Sequence, residues 1–335
     1  MSASLHAITK QLLARGKGIL AADESVGTCD KRFEKYGIAK TPEMRAKWRE
    51  FLFSTPHIEQ GLSGIILFDE TIRQKTSGGV SFAEFLAKRG ILPGIKVDQK
   101  TEPLTGSPEE EVTKGLEGLS ERLAEYQKMG ARFTKWRAVI RIGKGLPTPN
   151  CIRENARRLA QYAKKCQNAG LVPILEPEVL LDGTHTLARS EEVLTETLRV
   201  VFDEARKAQV NLSALILKSS MALPGTESGE TATPREIAEA TLRAFTASVP
   251  REVPGIVFLS GGQSSEEATI RLNEIAKLAL KQNAPWRISF SYSRALQDPV
   301  LAAWAGRDEN RHKAQEIFQR RVNETARAST GSLSL

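Results

Sequence analysis

Cysteine is scarce in this 335-residue chain, and Cys29, Cys151 and Cys166 are odd in number with no CxxC spacing. That excludes a disulfide framework and a zinc knuckle, and it makes a reducing cytoplasm the expected compartment. Histidine is as sparse: His6, His57, His185 and His312 stand far apart, never at the spacing of metal ligands. Long apolar runs are missing too. No segment approaches the roughly 18 consecutive apolar residues that span a bilayer. The opening MSASLHAITKQLLARGKG lacks the apolar centre of a secretory signal, so no membrane is expected. Runs of like charge do not reach five residues, and the aromatics, 6% of the chain, are not interleaved with basic residues as stacking platforms. A net charge of +8 attracts polyanions but serves as well to steer a small phosphate-bearing substrate, and no nucleic acid is expected as partner. At 40% hydrophobic and 26% charged, with no break in composition, residues 1–335 read as one domain with a sizeable core.

What is present is a recurrence. Eight short apolar runs, nearly all ending in a charged, hydroxyl or glycine residue, lie along the chain: KGILAAD (17–23), GIILFDE (64–70), GIKVD (94–98), FTKWRAVI (133–140), LVPILEPE (171–178), LSALILK (212–218), GIVFLSGG (255–262) and WRISFSYSR (286–294). Apolar segments of this length, separated by stretches of helical periodicity, are the pattern of alternating strands and helices. Eight such units in one domain predict an α/β fold, a (β/α)8 TIM barrel with its active site along the rim where the strands end. A doubly wound open sheet is the lesser alternative, since no GxGxxG or P-loop comes after any run.

Between the runs, residues 107–130 (SPEEEVTKGLEGLSERLAEYQKMG) read as a helix opening on a cap and acids and closing on glycine, and residues 148–170 and 233–250 read likewise. Serine, threonine and acids at those starts are caps before they are catalysts. Residues 307–335 read as a C-terminal helix and short tail.

The chemistry begins at Lys218. It closes LSALILK against leucine and isoleucine, where desolvation favours a neutral amine able to attack a carbonyl. A lone lysine at a strand end ordinarily snorkels to solvent, but its neighbours set this one apart. Lys135 and Arg137, two apart on the fourth run, share one face of a strand, as do Glu176 and Glu178 on the fifth. Facing the barrel axis, they bring cations beside carboxylates at low dielectric, an arrangement suited to forming an imine and moving protons; an internal salt-bridge network is the other reading. Lys96 and Asp98 close the third run and Asp23 the first, with Glu24 and Ser25 next in the chain, and either Asp23 or Ser25 can cap a short helix there. Ser260, Gly261 and Gly262 form a strand-to-helix turn whose backbone N–H groups suit a phosphate. With Arg294 they match the phosphate site that barrels place after strands seven and eight.

AADES, GIILFDE, GIKVD, KWR, EPE, LSGGQS and SYSRAL occur in the order and at about the spacing of class I fructose-bisphosphate aldolases, and nearly the whole chain resembles that family. The resemblance implies a barrel that cleaves fructose 1,6-bisphosphate to dihydroxyacetone phosphate and glyceraldehyde 3-phosphate and runs the reverse condensation, with no metal and no cofactor. By motif, Lys218 resembles the Schiff-base lysine, Glu176 the general acid and base, and Glu178 its assistant. Asp23 resembles the acceptor of the C4 hydroxyl proton, and Lys135 the keeper of the charge balance. Ser260, Gly261, Gly262 and Arg294 resemble the C1-phosphate site; Ser25, Thr28, Arg32, Lys96 and Arg137 resemble contacts to the other end. Phosphorylated ketoses and trioses are the implied substrates and a homotetramer the implied assembly.

Three departures stand out. ILKSSM replaces the family's LLKPNM, which predicts a freer loop after the sixth run, and Ser293 replaces the glycine before Arg294, which predicts a crowded backbone phosphate contact. Many relatives end in a tyrosine that reaches the site; here the tyrosines are Tyr36, Tyr126, Tyr162 and Tyr292, so another group or water is expected to protonate the enamine. Competing functions fare worse. A metal aldolase lacks its histidines, and a barrel glycosidase would need a carboxylate where the seventh run ends in Ser-Gly-Gly. A phosphosugar-binding barrel without turnover is the runner-up, opposed by the joint presence of Lys218, Glu176 and Asp23.

Overall fold

A computed structural model describes residues 2–334. Eight parallel strands close into a ring in the order β1 (Gly18–Ala22), β2 (Leu62–Leu67), β3 (Leu92–Lys96), β6 (Phe133–Ile140), β7 (Val172–Val179), β8 (Ile216–Ser219), β9 (Gly255–Phe258) and β10 (Arg287–Tyr292), which returns to β1. Every one of the eight apolar runs supplies one strand. They read as continuous apolar runs because helices cover the outer face and side chains fill the inner one, leaving neither face in water.

The lower interior is packed by Ile19, Ala21, Ile66, Phe133, Val172, Ile174, Ile216 and Val257. Gly94 and Gly64 make room for the Phe133 ring: a Cβ on Gly94 would lie 2.3 Å from it and one on Gly64 3.0 Å. Below this layer the N-terminal helix Ser2–Leu12 is laid across the base, with Leu5, Leu12 and Leu13 joining the same cluster. The Ser63 hydroxyl fixes it there, donating to the carbonyls of Leu12 at 2.6 Å and of Gly18 at 3.0 Å. The barrel is therefore shut at one end and polar at the other.

The outer helices start as their caps predict. Thr148 caps Pro149–Asn168, and Thr233 caps Pro234–Ser248 in a reciprocal box with Glu236. The C-terminal helix runs Arg311–Ala328 after a single 3-10 turn, Asp308–Asn310. Beyond it Leu333 lies on the helix Ser265–Lys281, exchanging hydrogen bonds of 3.1 Å with the Asn273 side chain. No helix of the described residues is long and apolar enough to cross a membrane.

The segment 107–130 corrects the sequence reading. Its first half is strand β5 (Ser107–Thr113), paired antiparallel with β4 (Thr101–Leu104), and only Leu119–Lys128 is helical. Gly106, at φ 86°, supplies the left-handed turn that folds the hairpin back. Glu110 and Val112 point inward while Glu109 and Glu111 stay exposed, the two-residue period of a strand beneath an acid-rich surface. Glu110 is held by the backbone N–H and hydroxyl of Thr148, at 2.7 and 2.6 Å.

Candidate active site

The C-terminal ends of the strands open into a cleft of about 570 Å³. Three adjacent strands set its floor. In the parallel register Arg137 stands beside Glu176 and Val139 beside Glu178, while Leu217 stands beside Leu175. The inward residues of β6, β7 and β8 thus converge, and the Lys135, Glu176 and Lys218 side chains are each only 5% exposed.

Lys218 Nζ lies 2.9 Å from Glu176 Oε1, and Lys135 Nζ lies 3.2 Å from Glu176 Oε2. Lys135 is the hub: its ammonium also meets Asp23 Oδ2 at 2.7 Å and Asp98 Oδ2 at 3.8 Å. Lys96 pairs with Asp98 and Arg137 with Glu178. Four cations, Lys96, Lys135, Arg137 and Lys218, therefore face four carboxylates, Asp23, Asp98, Glu176 and Glu178, on the floor, while Arg32, Lys100 and Arg294 against Glu24 leave the cleft as a whole cationic.

Burial pushes the Asp23 carboxyl up, but the Lys135 ammonium, with Lys218 and Lys96 behind it, outweighs burial and holds it at about 2, below its ordinary 3.8. For Glu176 the same contest, burial against Lys135, Lys218 and Arg137, also ends below the usual carboxylate range. On Lys135 burial opposes the charge, yet Asp23, Glu176 and Asp98 keep the ammonium well above its ordinary value. Glu176 Oε2, although beside Lys135, is buried without an aligned hydrogen bond.

Ser25, not Asp23, caps the helix Val26–Glu34, accepting from the Thr28 N–H, and the Ser25 and Thr28 hydroxyls lie 3.0 Å apart. Arg32 projects from that helix to Glu24 at 2.6 Å and to the Ser293 hydroxyl at 3.2 Å. Ser260, Gly261 and Arg294 follow β9 and β10, next to β1 in the ring, and line the adjoining wall; Gly262 sits just behind, where a Cβ would be 3.9 Å from Arg294 Nη2. Gly261 and Gly262, at φ 47° and 90°, hold a left-handed turn before the helix Ser265–Lys281. The cleft wall thus gathers every residue singled out from the sequence, with Gly262 at its edge.

The cleft also holds residues that the sequence did not single out. Glu24 is buried behind Arg32 and is bound by Arg49 at 2.5 Å, by the Ser293 hydroxyl at 2.5 Å and by Gln297 at 2.7 Å. Burial pushes its carboxyl up, but Arg49 and Arg32 win and hold it at about 2 instead of 4.5. Ser291 joins Ser293 on the period-two inward face of SFSYS, a signal present in the sequence, and Ser291 Oγ is buried with no partner among the described residues. Lys100, Thr101 and Thr113 come from the base of the hairpin, whose second strand the sequence reads as helical. The loop after β8 is not free as predicted: Ser220 donates to the Val179 carbonyl at 2.9 Å, and the Ala222 and Leu223 N–H groups bond to Thr241 and Ser190. The Ser293 hydroxyl turns away from Arg294 toward Glu24.

A closed parallel barrel whose polar end gathers paired amines and carboxylates has the frame of a TIM-barrel enzyme. The family model described as "Fructose-bisphosphate aldolase class-I" matches residues 4–334. The chain belongs to the class I fructose-bisphosphate aldolase family, and its activity is the reversible cleavage of fructose 1,6-bisphosphate. It is 49% identical over 321 residues to a probable class 1 fructose-bisphosphate aldolase of Xanthomonas campestris, covering 96% of this chain and 95% of the relative. With the cytoplasmic isozyme of Spinacia oleracea it shares 48% identity over 316 residues, 94% of this chain and 88% of the relative. A solved Plasmodium falciparum aldolase, crystallised with TRAP and a small-molecule inhibitor, superposes with a TM-score of 0.97 at 42% identity, covering 100% of this chain and 96% of that one.

Proposed function

We propose that Lys218 performs the aldolase chemistry as a Schiff base to the ketose C2. The observation that carries the assignment is the buried contact of 2.9 Å between its Nζ and Glu176 Oε1. Transfer of a proton across that contact frees the amine while the pair stays neutral, so activation needs no charge to be imported into the buried floor. The amine attacks C2, and Glu176 returns the proton to the departing hydroxyl, leaving water and an iminium. Its second oxygen, without an aligned hydrogen bond, is the available acceptor in the reverse sense.

Cleavage breaks the C3–C4 bond. The C4 hydroxyl loses its proton, C4 becomes the aldehyde carbon, and the bonding pair moves to C3 and into the iminium, giving an enamine. Asp23 is the base in this reading. Lys135 keeps it a weak one while the two are paired, and it strengthens as a substrate hydroxyl takes the place of Lys135 beside it. Proton addition at C3 and hydrolysis then release dihydroxyacetone phosphate and restore Lys218. Glu178, paired with Arg137, assists by fixing charge at the edge of the floor. Ser260, Gly261, Gly262 and Arg294 hold the C1 phosphate; Ser25, Thr28, Arg32, Lys96 and Arg137 serve the other end.

Borohydride trapping with dihydroxyacetone phosphate, coupled to peptide mass analysis, tests this. An adduct on Lys218 is expected; an adduct on Lys135 or Lys96 overturns the assignment, and none at all overturns the imine mechanism. A homotetramer in the cytoplasm completes the reading, supported by the family resemblance and by the spinach relative's name. Sedimentation velocity showing one tetrameric species is the expected result.

A further inference from the structure

We infer that Lys100 sets this enzyme's preference for a bisphosphate over a 1-phosphate ketose by holding the phosphate far from the imine. The inference rests on the proposed role of Lys218. Strand β9, with its Ser-Gly-Gly turn, is the immediate neighbour of β8 and of Lys218. A phosphate on C1, one carbon from the imine, therefore belongs at that turn. In the closed ring β3 lies four strands from β9, directly across the mouth, so a phosphate on C6 points toward the segment that leaves the C-terminal end of β3.

Most cations on that side are already engaged. Lys96 is held by the Asp98 carboxylate and carbonyl, Arg137 by Glu178, and Arg32 by Glu24 and Ser293. Lys100 lines the cleft, and among the described residues its ammonium has no acidic or hydrogen-bonding partner. Its backbone is the second observation. Lys100 sits at φ 57°, a left-handed conformation that lysine rarely adopts. The hairpin base enforces it: the Gln99 N–H donates to the Lys114 carbonyl at 2.8 Å, and the Lys114 N–H to the Lys100 carbonyl at 3.0 Å. A position that glycine would occupy without strain carries instead a long unpaired cation at the rim of a phosphate-binding cleft. Of the non-glycine residues with positive φ, His57, Lys100, Gln209, Asn283 and Ala305, Lys100 is the one that lines the cleft.

The test separates charge from backbone. Lys100→Gln keeps the strained conformation and removes the charge, Lys100→Gly removes both, and Lys100→Arg restores the charge. Steady-state cleavage of fructose 1,6-bisphosphate and fructose 1-phosphate is measured for each. The ratio of kcat/KM for the two substrates is expected to fall roughly tenfold in Lys100→Gln and Lys100→Gly, through the bisphosphate KM, as one charge-assisted contact is lost. Lys100→Arg recovers most of the ratio, and Lys100→Gly melts higher than the parent. An unchanged ratio in Lys100→Gln, or an equal loss on both substrates, overturns the inference. A borohydride adduct on a lysine other than Lys218 in the parent enzyme would instead overturn the Lys218 reading.

Discussion

Replacing Lys135 by methionine probes the centre of the charge arrangement, because that ammonium touches three carboxylates at once. The chain length and stem packing are nearly kept; the charge is not. Asp23 then loses its strongest attraction. Its shift from 3.8 to about 2 corresponds to about 2 kcal/mol, taking about 1.4 kcal/mol per unit. In the parent that stabilisation is complete above pH 3.8 and is lost as pH falls through about 2. In Lys135→Met burial, already the largest single influence, is opposed only by Lys218 and Lys96; the Asp23 carboxyl is expected to move above its unfolded value, and the sign reverses. The variant is then steadiest in acid and weakens as pH rises through the new value. Calorimetric melting from pH 4 to 7 reads this directly. At neutral pH the variant should melt on the order of 5 °C below the parent, at about 2 °C per kcal/mol for a domain this large, and the gap should close toward pH 4. A variant whose melting temperature climbs with pH in parallel with the parent's would refute the account of Lys135 as the charge hub.

Other substitutions test the surroundings. Ser293→Ala strips one hydrogen bond from the buried Glu24 and one from Arg32, and urea unfolding should register a loss of about 1–2 kcal/mol. Gly94→Ala places a methyl 2.3 Å from the Phe133 ring; overpacking of this kind costs about 1–3 kcal/mol. Thermal unfolding should show a lower midpoint that Phe133→Leu in the same chain partly restores.

Parallel strands covered on both faces write themselves into sequence as unbroken apolar runs, which is why GIILF and GIVF could be placed without a structure. The charged residues that end those runs were legible for the same reason: a barrel strand has one polar end, and it is the working end. The hairpin was not legible. Ser-Pro-Glu-Glu-Glu is a good helix opening by local chemistry, and only the burial of Glu110 and Val112 against the barrel wall selects a strand. Lys100 shared its obscurity, since no residue type advertises a left-handed lysine. Glu24 illustrates a different gap. Its partners Arg49, Ser293 and Gln297 are separated from it by 25 to 273 positions, and pairing at such range leaves no local pattern. Ser219 and Ser220, standing where proline and asparagine are usual, suggest a looser loop by composition alone, whereas their hydroxyls bond to nearby carbonyls.

The helix across the base of the barrel, with Leu12 and Leu13 in the same apolar cluster as Phe133, has a consequence for timing. That apolar layer closes the base, so on the proposed imine mechanism the hydrolytic water arrives by the same mouth as the sugar. On the proposed Lys218 reading, a six-carbon bisphosphate lying across that mouth stands between solvent and the imine, and departure of the aldehyde half widens the path by which water returns.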